Sequence, residues 1–225
     1  MNAKENTQIL AEYVSQKLNL PVFGVATLGP IFSKVDKQIE AVARKMKYAV
    51  VLGHPLSKGV LDTIVNRPTI LYKHHYKQVN WRLDRSALEL AIFMESLGAK
   101  ALPIPASIIL NWKKQTAHFS HRDAALQAGL GWRGRHGLVV TPHYGAQIRW
   151  ASILTDLELI PGEPMHCDCG DCRACLEVCP AGAISEDGCD VELCFEKLKK
   201  FAGMRGIGQY ICGVCIKACR GKENG

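Results

Sequence analysis

The sequence predicts an α+β domain followed by a small module built on cysteines. Three observations carry this. Helix-like and strand-like apolar patterns follow one another irregularly through roughly the first 160 residues. All ten cysteines lie between Cys167 and Cys219, and a Pro161-Gly162-Glu163-Pro164 linker falls just before the first of them. The expected division is therefore 1–164 for the α+β domain and 165–225 for the cysteine module.

The elements follow in order. Ile9, Leu10, Tyr13, Val14 and Leu18 recur at helical spacing and predict an amphipathic helix over 5–19, packed on a core. Residues 35–47 predict a second helix that ends among basic residues, and 48–52 a short apolar strand stopped by Gly53, His54 and Pro55. Residues 58–80, rich in His, Lys and Tyr, are expected to be irregular. Leu83, Ala87, Leu90, Ala91, Met94 and Leu97 predict a helix over 82–97, with Gly98 as its C-cap. A buried strand over 99–102 is ended by Pro103-Ile104-Pro105, and another helix finishes over 124–128. Next comes a glycine turn, G-L-G-W-R-G-R-H-G, at 129–137. Strands over 138–141 and 148–154 around Pro142-His143-Tyr144-Gly145 predict a hairpin.

The chain has 225 residues, 48% hydrophobic and 22% charged, with mean hydropathy −0.01. That composition excludes disorder and fibrous repeats. The longest largely apolar runs, 101–110 and 207–214, fall far short of the roughly 18–20 residues a membrane span needs. The N-terminus, MNAKENTQIL, has neither a signal-peptide pattern nor twin arginines, so the expected location is the cytoplasm. In a reducing compartment, cysteines crowded into one segment point to metal rather than disulfides.

Cys169-x2-Cys172-x2-Cys175-x3-Cys179-Pro180 reproduces the bacterial ferredoxin run in every spacing. Three thiolates on a tight coil can each reach a different iron of one cubane, while the fourth is turned toward a second cluster. Cys194, then Cys212-x2-Cys215-x3-Cys219, keeps the end of that pattern, with Arg220 where a proline usually stands. Crossed ligation gives one [4Fe-4S] cluster to Cys169, Cys172, Cys175 and Cys219, and the other to Cys179, Cys194, Cys212 and Cys215. Cys167 and Cys189 remain over, and Cys189 is an alternative to Cys194. Four-cysteine zinc sites use two separated knuckles, which this spacing does not suit. The formal charge of +7 falls to about +3 once two oxidised clusters with their thiolates, each roughly −2, are counted. The basic residues are scattered, without the aromatic-interleaved patch of a nucleic-acid binder.

The glycine turn carries the letters of G-x-G-x-x-G in Gly129, Gly131 and Gly134, but a helix precedes it and a strand follows, the reverse of a dinucleotide site. It reads either as a tight helix-to-strand turn or as backbone N–H groups facing a large polar cofactor.

AGLGWRGRHGLVVTPHYGAQIRWASILTDLEL, followed by C-G-D-C-R-A-C-L-E-V-C-P, resembles the epoxyqueuosine reductase and reductive dehalogenase superfamily. G-L-G-W is closer to the first branch. Arg135-His136-Gly137, Thr141-Pro142, Tyr144-Gly145 and Thr155-Asp156-Leu157 are closer to the second. The resemblance implies a nitroreductase-like, corrinoid-binding α+β domain followed by a ferredoxin-like module with two [4Fe-4S] clusters. It implies cobalamin held by Gly129, Gly131, Trp132, Gly134, Arg135, Gly137, Thr141, Tyr144, Gly145 and Arg149, with Arg133 a further candidate for cofactor or anionic substrate.

The sequence also departs from the family. The stretch before the turn, NWKKQTAHFSHRDAAL, lacks the D-S-x-P-type segment whose aspartate is the presumed proton donor, and Asp123 lies too near the turn to replace it. His121 and Tyr76 are the candidate catalytic proton donors, with His118, His74 and His75 behind them. The bland alternatives are a solvated His121 beside an N-cap Ser120, and a Tyr76 packed on its helix. No helical-repeat segment of the kind that holds tRNA follows Cys219, so tRNA is not the expected partner. A short cytoplasmic relative is expected: an iron–sulfur, cobalamin-dependent reductase of a small molecule, fed by reduced ferredoxin or flavodoxin. The alternative is an electron-transfer protein or reductive activator serving a separate corrinoid protein.

The spacing predicts that Cys175→Ala loses one cluster. Iron counted after anaerobic reconstitution should fall from about eight to about four atoms per chain, and an unchanged count would refute the ligand set.

Overall fold

Whether two β-strands pair depends on which backbone edges the rest of the chain leaves open, and here this overrides one local expectation. The computed structural model describes residues 2–111 and 115–221. Its strands are β1 (Val22–Thr27), β2 (Tyr48–Pro55), β3 (Ala101–Ile104), β4 (Trp132–Arg133), β5 (Val139–Val140), β6 (Ile148–Thr155), β7 (Ile184–Ser185) and β8 (Gly188–Cys189). The helices are α1 (Ala3–Glu12), α2 (Lys37–Ala43), α3 (Lys58–Asp62), α4 (Ile70–Ser96), α5 (His121–Gln127), α6 (Ala174–Glu177), α7 (Val191–Ala202) and α8 (Val214–Ala218). The chain divides into two compact units. The first comprises 1–54, 80–130 and 149–165, and the second 55–79, 131–148 and 166–225. The cysteine segment thus gathers two earlier stretches to itself, which a single cut after 164 does not convey.

In the first unit a four-stranded sheet runs in the order β1-β2-β6-β3. β1 pairs antiparallel with β2, from Val22 opposite Gly53 to Thr27 opposite Tyr48. β3 pairs antiparallel with β6, from Ala101 opposite Thr155 to Ile104 opposite Ser152. The central strands are buried on both faces, so Ala49–Leu52 and Ala151–Leu154 read as unbroken runs rather than alternations. Leu83, Ala87, Leu90, Ala91 and Met94 bury one face of α4 at the predicted spacing, and Gly98 follows at φ +85°. A capping box starts α1: Asn2 accepts from the Glu5 amide, and Glu5 accepts from that of Asn2.

Three expectations change. Residues 58–80 are not irregular: α3 lies there and α4 begins at Ile70, with Thr69 Oγ1 accepting from the Tyr72 amide at 3.0 Å. Polar residues hide the period of the buried Tyr72, Val79 and Leu83. Strand β1 escapes notice because Gly24 interrupts it, yet the Leu130 side chain fills the space a Cβ there would need. The hairpin over 138–154 does not form. β5 pairs with β4 instead, through a turn in which Gly134 N donates to Leu138 O (2.9 Å) and Gly137 N to Gly134 O (2.8 Å). Thr141 and Gly145 close a separate small turn, and β6 joins the sheet. The stretch 161–164 is held, since Gly162 N donates to Val25 O at 2.9 Å.

In the second unit α6 and α3 each pack against α8, and β7 and β8 form a hairpin turned by Glu186-Asp187. Gly213 precedes α8 at φ +85°, and a Cβ there would lie 2.7 Å from Ile64 and from the Tyr72 ring. Gly213→Ala should therefore combine a left-handed-backbone penalty of about 1–2 kcal/mol with overpacking of about 1–3 kcal/mol. Gly208→Ala, at φ +56° with nothing within 4 Å, should show only the backbone part. Denaturant unfolding of the two variants separates these contributions, and equal losses would remove the clash.

Candidate functional site

All ten cysteines are free thiols, and eight of them fall into two groups of electrostatic neighbours, with Cys189 a ninth beside the second. Burial chiefly raises the Cys175 thiol, with Cys169 and Cys172 adding to the effect. Burial pushes Cys219 up to about 11, with Cys175 and Cys169 again among its neighbours. Four cysteines thus meet: three from the first run and the last of the second. In the other group, burial raises Cys194, with Cys212 and Cys179 close by. Cys215 is raised most, by burial and then by Cys212, Cys194 and Cys179. Cys189 adjoins Cys194 and Cys179 and is pushed to about 11, mainly by burial. Cys167 is exposed.

Cys175, Cys189, Cys194, Cys212, Cys215 and Cys219 resist ionisation chiefly because burial disfavours the thiolate; a bound cation reverses that balance. The donor set therefore suits a metal centre. Among the described residues, no three His, Cys, Asp or Glu side chains converge on a point for a single ion. A cubane makes a different demand, one thiolate at each corner, and two groups of four cysteines match its donor count. One backbone N–H already points at sulfur, that of Ala183, which donates to Cys179 Sγ at 3.4 Å, and the backbone of His136 lies by Cys175 and that of Ala146 and Gly221 by Cys219. Such bonds orient ligands and tune the potential of a cluster.

Arg135 is committed to the first cysteine loop. Its Nη1 donates to the Cys172 carbonyl and its Nη2 to that of Gly170, both at 2.8 Å, while Nε pairs with Glu186 at 2.7 Å. Glu186 also takes Arg173 Nε at 2.6 Å. Half-exposed ion pairs add little stability, but three directed bonds fix the path of the loop. Glu186 was not apparent from the sequence, because its partner Arg135 lies some fifty residues earlier and only the fold joins them.

The glycines of the turn are closed against the chain's own backbone. A Cβ at Gly129 would meet the Glu163 carbonyl at 2.1 Å, at Gly131 that of Val140 at 2.2 Å, and at Gly145 that of Cys219 at 2.2 Å. At Gly134 it would meet His136 and Val140 at 2.7 Å, and only Gly137 has more room. Trp132 is buried, and Thr141 Oγ1 accepts from the Tyr144 amide at 2.9 Å. Arg149 donates to Asn80 Oδ1 at 3.1 Å. Within the units, then, most of these residues serve the chain's own packing. Tyr144 does line a cavity of about 490 Å³, together with His143, Lys58, Lys217, Gln147 and Arg220. Lys217 Nζ there donates to the Ile64 carbonyl at 2.7 Å.

His121 is the first residue of α5, with Ser120 as its N-cap, and it is not solvated as the bland reading had it. Nε2 lies 2.9 Å from the Pro105 carbonyl, which can only accept, so Nε2 carries the proton and Nδ1 accepts from Ser152 Oγ at 2.9 Å. Burial, opposed by the Pro105 bond and aided by Arg149, lowers its pKa to about 4. The imidazole is neutral, and both its nitrogens are engaged. Tyr76 is half-buried on α4, 6.4 Å from the Tyr72 ring, and does not line the Tyr144 cavity. His75 Nε2 accepts from the Ser57 amide at 3.0 Å, while His74 and Arg133 are exposed. His118 Nδ1 is buried without a hydrogen bond among the described residues.

Compared with known proteins, the chain is 28% identical over 113 residues to an epoxyqueuosine reductase of Bacillus anthracis, a match covering 46% of this chain and 30% of the relative. It is 36% identical over 105 residues to a tetrachloroethene reductive dehalogenase of Dehalobacter restrictus, covering 45% and 17%. This chain resembles both enzyme groups.

The likeness extends to the fold. The catabolic reductive dehalogenase NpRdhA in complex with 3-bromo-4-hydroxybenzoic acid superimposes with TM-score 0.78 at 22% identity, over 97% of this chain and 32% of that one. Epoxyqueuosine reductase from Streptococcus thermophilus gives TM-score 0.64 at 20% identity, over 97% and 67%. Another epoxyqueuosine reductase of this fold was solved with a tRNA stem loop, and a reductive dehalogenase structure is described in terms of B12-dependent dehalogenation. Both groups are oxidoreductases. The matched segments span less than a third of these two curated relatives. No protein-family model matches the chain. Among the described residues, no helix is long and apolar enough to cross a membrane.

The buried, neutral His121 links folding to pH. The unfolded chain binds a proton there below about 6.5, whereas the folded chain resists one down to about 4. Its contribution is whole above pH 6.5 and is lost as pH falls toward 4, by up to about 3 kcal/mol. Unfolding followed against pH should show a shallower acid decline in His121→Gln than in the natural chain; parallel curves would mean that the imidazole is not held neutral.

Proposed function

We propose that this chain is an iron–sulfur reductase in which two [4Fe-4S] clusters pass single electrons to a small-molecule reduction. The observation that carries the reading is the grouping of the thiols. Cys219 stands with Cys169, Cys172 and Cys175, and Cys179 with Cys194, Cys212 and Cys215. We assign these as the two ligand sets. Cys194 rather than Cys189 completes the second, because Cys194 adjoins Cys212 and Cys215 as well as Cys179. When bound, the clusters supply one-electron storage and transfer.

The chain's own residues do the rest. Arg135 and Glu186 hold the first ligand loop, and the backbone N–H of Ala183 faces the Cys179 sulfur. The Tyr144 cavity has the volume of a small-molecule site, and Arg220 in its wall directly follows Cys219. Lys58, Lys217 and Arg220 outnumber the one carboxylate of the wall, Asp62, and favour an anionic substrate there. 3-Bromo-4-hydroxybenzoic acid, held by a dehalogenase of the same fold, is a suitable first probe. The double-cluster, ferredoxin-like description and the nitroreductase-like description of the α+β part belong to this reading. So do the cytoplasmic location and a reduced ferredoxin or flavodoxin as donor.

Cobalamin is the acceptor that the relatives suggest. Most of the residues assigned to it are engaged in the chain's own contacts, while Gly137 has room beside it and Tyr144 lines the cavity. Neither proton-donor candidate lines the Tyr144 cavity, and both nitrogens of His121 are engaged. The same occupied residues favour a second reading, an electron-transfer protein serving a separate corrinoid protein.

Anaerobic reconstitution tests the proposal. About eight irons per chain, tight cobalamin uptake followed by absorbance and paramagnetic resonance, and turnover of an anionic halogenated substrate are expected of the reductase. Eight irons without cobalamin uptake or turnover would transfer the assignment to electron delivery, and binding of a tRNA stem loop would replace the small-molecule substrate. Failure to hold iron would overturn both.

A further inference from the structure

A second cavity of the cysteine unit, about 750 Å³, is lined by Thr63, Thr69, Asn66, Arg67, Lys197 and Pro180 among others, and no carboxylate lines it. Pro180 directly follows Cys179. Lys197 lies within electrostatic reach of Cys212 and 5.6 Å from the centroid of the Phe201 ring. Neither Arg67 nor Lys197 forms an ion pair among the described residues. Val65, in its wall, is 81% exposed, and, close in sequence to other wall residues, Ile70 at 61%, Leu71 at 52%, and Val178, beside Cys179, at 40% also stand open to solvent. Apolar groups near a redox centre, bordered by charge of one sign, are the makeup of a transient protein contact. A site for a free small anion would give no reason to leave four large apolar side chains exposed.

We infer that this face, with Arg67 and Lys197 as its charged contacts, is the docking surface for an acidic one-electron carrier protein that reduces the cluster held by the Cys179 group. The inference rests on the cluster reading above and adds the point of electron entry. The carrier gives up one electron and is oxidised by one; the cluster gains it; no bond forms or breaks and no proton moves. Pro180, next in the chain to Cys179, and Lys197, within electrostatic reach of Cys212, bring a docked carrier close to it. Val65 and Val178 exclude water once it is seated. Arg67 and Lys197 orient a negatively charged partner during approach.

The test uses the full, anaerobically reconstituted chain, with fully reduced flavodoxin as the probe and rapid-mixing absorbance to follow its oxidation. In the natural chain the rate should fall as ionic strength rises. Arg67→Glu and Lys197→Glu should each slow it about tenfold or more at low salt. Lys4→Glu, an exposed change on α1, should leave it as it was. All variants should retain iron and reach the same extent of photochemical reduction with a deazaflavin. The midpoint potential of the clusters should be unchanged in Arg67→Glu, which separates docking from tuning. Equal rates in the natural chain and Arg67→Glu, or no dependence on salt, would overturn the surface while leaving the clusters in place. Loss of the carrier step on adding inorganic phosphate at constant ionic strength would make the depression a small-anion site and likewise overturn it. A chain that binds no iron would overturn the cluster reading, and this inference with it.

Discussion

Thiols gathered at close quarters resist losing their protons, and once ionised they repel one another. All but Cys172 of the eight grouped cysteines are buried or partly buried, and burial is the leading cause of the shift wherever a grouped thiol is displaced. Apart from the twelve-residue α7, which carries Cys194, the secondary structure around them is slight. α6 has four residues, α8 five, and β7 and β8 two each, all below the length at which such elements persist unaided. In our reading, ligation replaces the missing backbone cooperativity: the cation that removes the proton also ties together segments that have little else to hold them. The Arg135–Glu186–Arg173 arrangement and the sulfur-directed Ala183 amide serve the same end, by setting the loop before anything binds.

The glycine-rich motif shows how one set of letters can answer to another cause. Gly129 closes on Glu163, Gly131 on Val140 and Gly145 on Cys219. Each is a place where two backbones meet with no side chain between them. Gly145 links the turn at 141–145 to the residue that ends α8, and Ala146 donates to the same carbonyl at 3.2 Å. A motif shared with large cofactor enzymes is, in this chain, also a set of backbone seams.

How much of this was legible in the sequence depended on distance along the chain. The cysteine spacing could be read because a ferredoxin run is written in local steps, and Gly98 could be read because a helix end is a local event. Arg135 could not: a guanidinium looks the same whether it faces a cofactor or a carbonyl, and Gly170 and Glu186 are far away in sequence. The helix over 70–80 was hidden by the polar side chains of its exposed face, although Tyr72 and Val79 carried the period. The hairpin over 138–154 failed because β4, only two residues long, took the partner that local pattern had given to β6. His121 was found as a notable residue, but the bonds to Pro105 and Ser152 that hold it neutral come from β3's end and from β6.

The interleaving of the two units has a consequence for synthesis. Residues 55–79 belong with the cysteine segment, yet the ribosome makes them first, and roughly 130 further residues follow before Cys212 and Gly213 are made. At about 5–20 residues per second that is a wait of some 7–27 s. Throughout it, Ile64 and Tyr72 lack the backbone at Gly213 against which they finally close. A nascent chain in that interval presents apolar surface without its cover, so chaperone protection during translation and timely delivery of iron and sulfide become parts of one schedule. The cysteine unit is therefore no detachable cassette: cut free at residue 165, it would leave behind two stretches of its own chain.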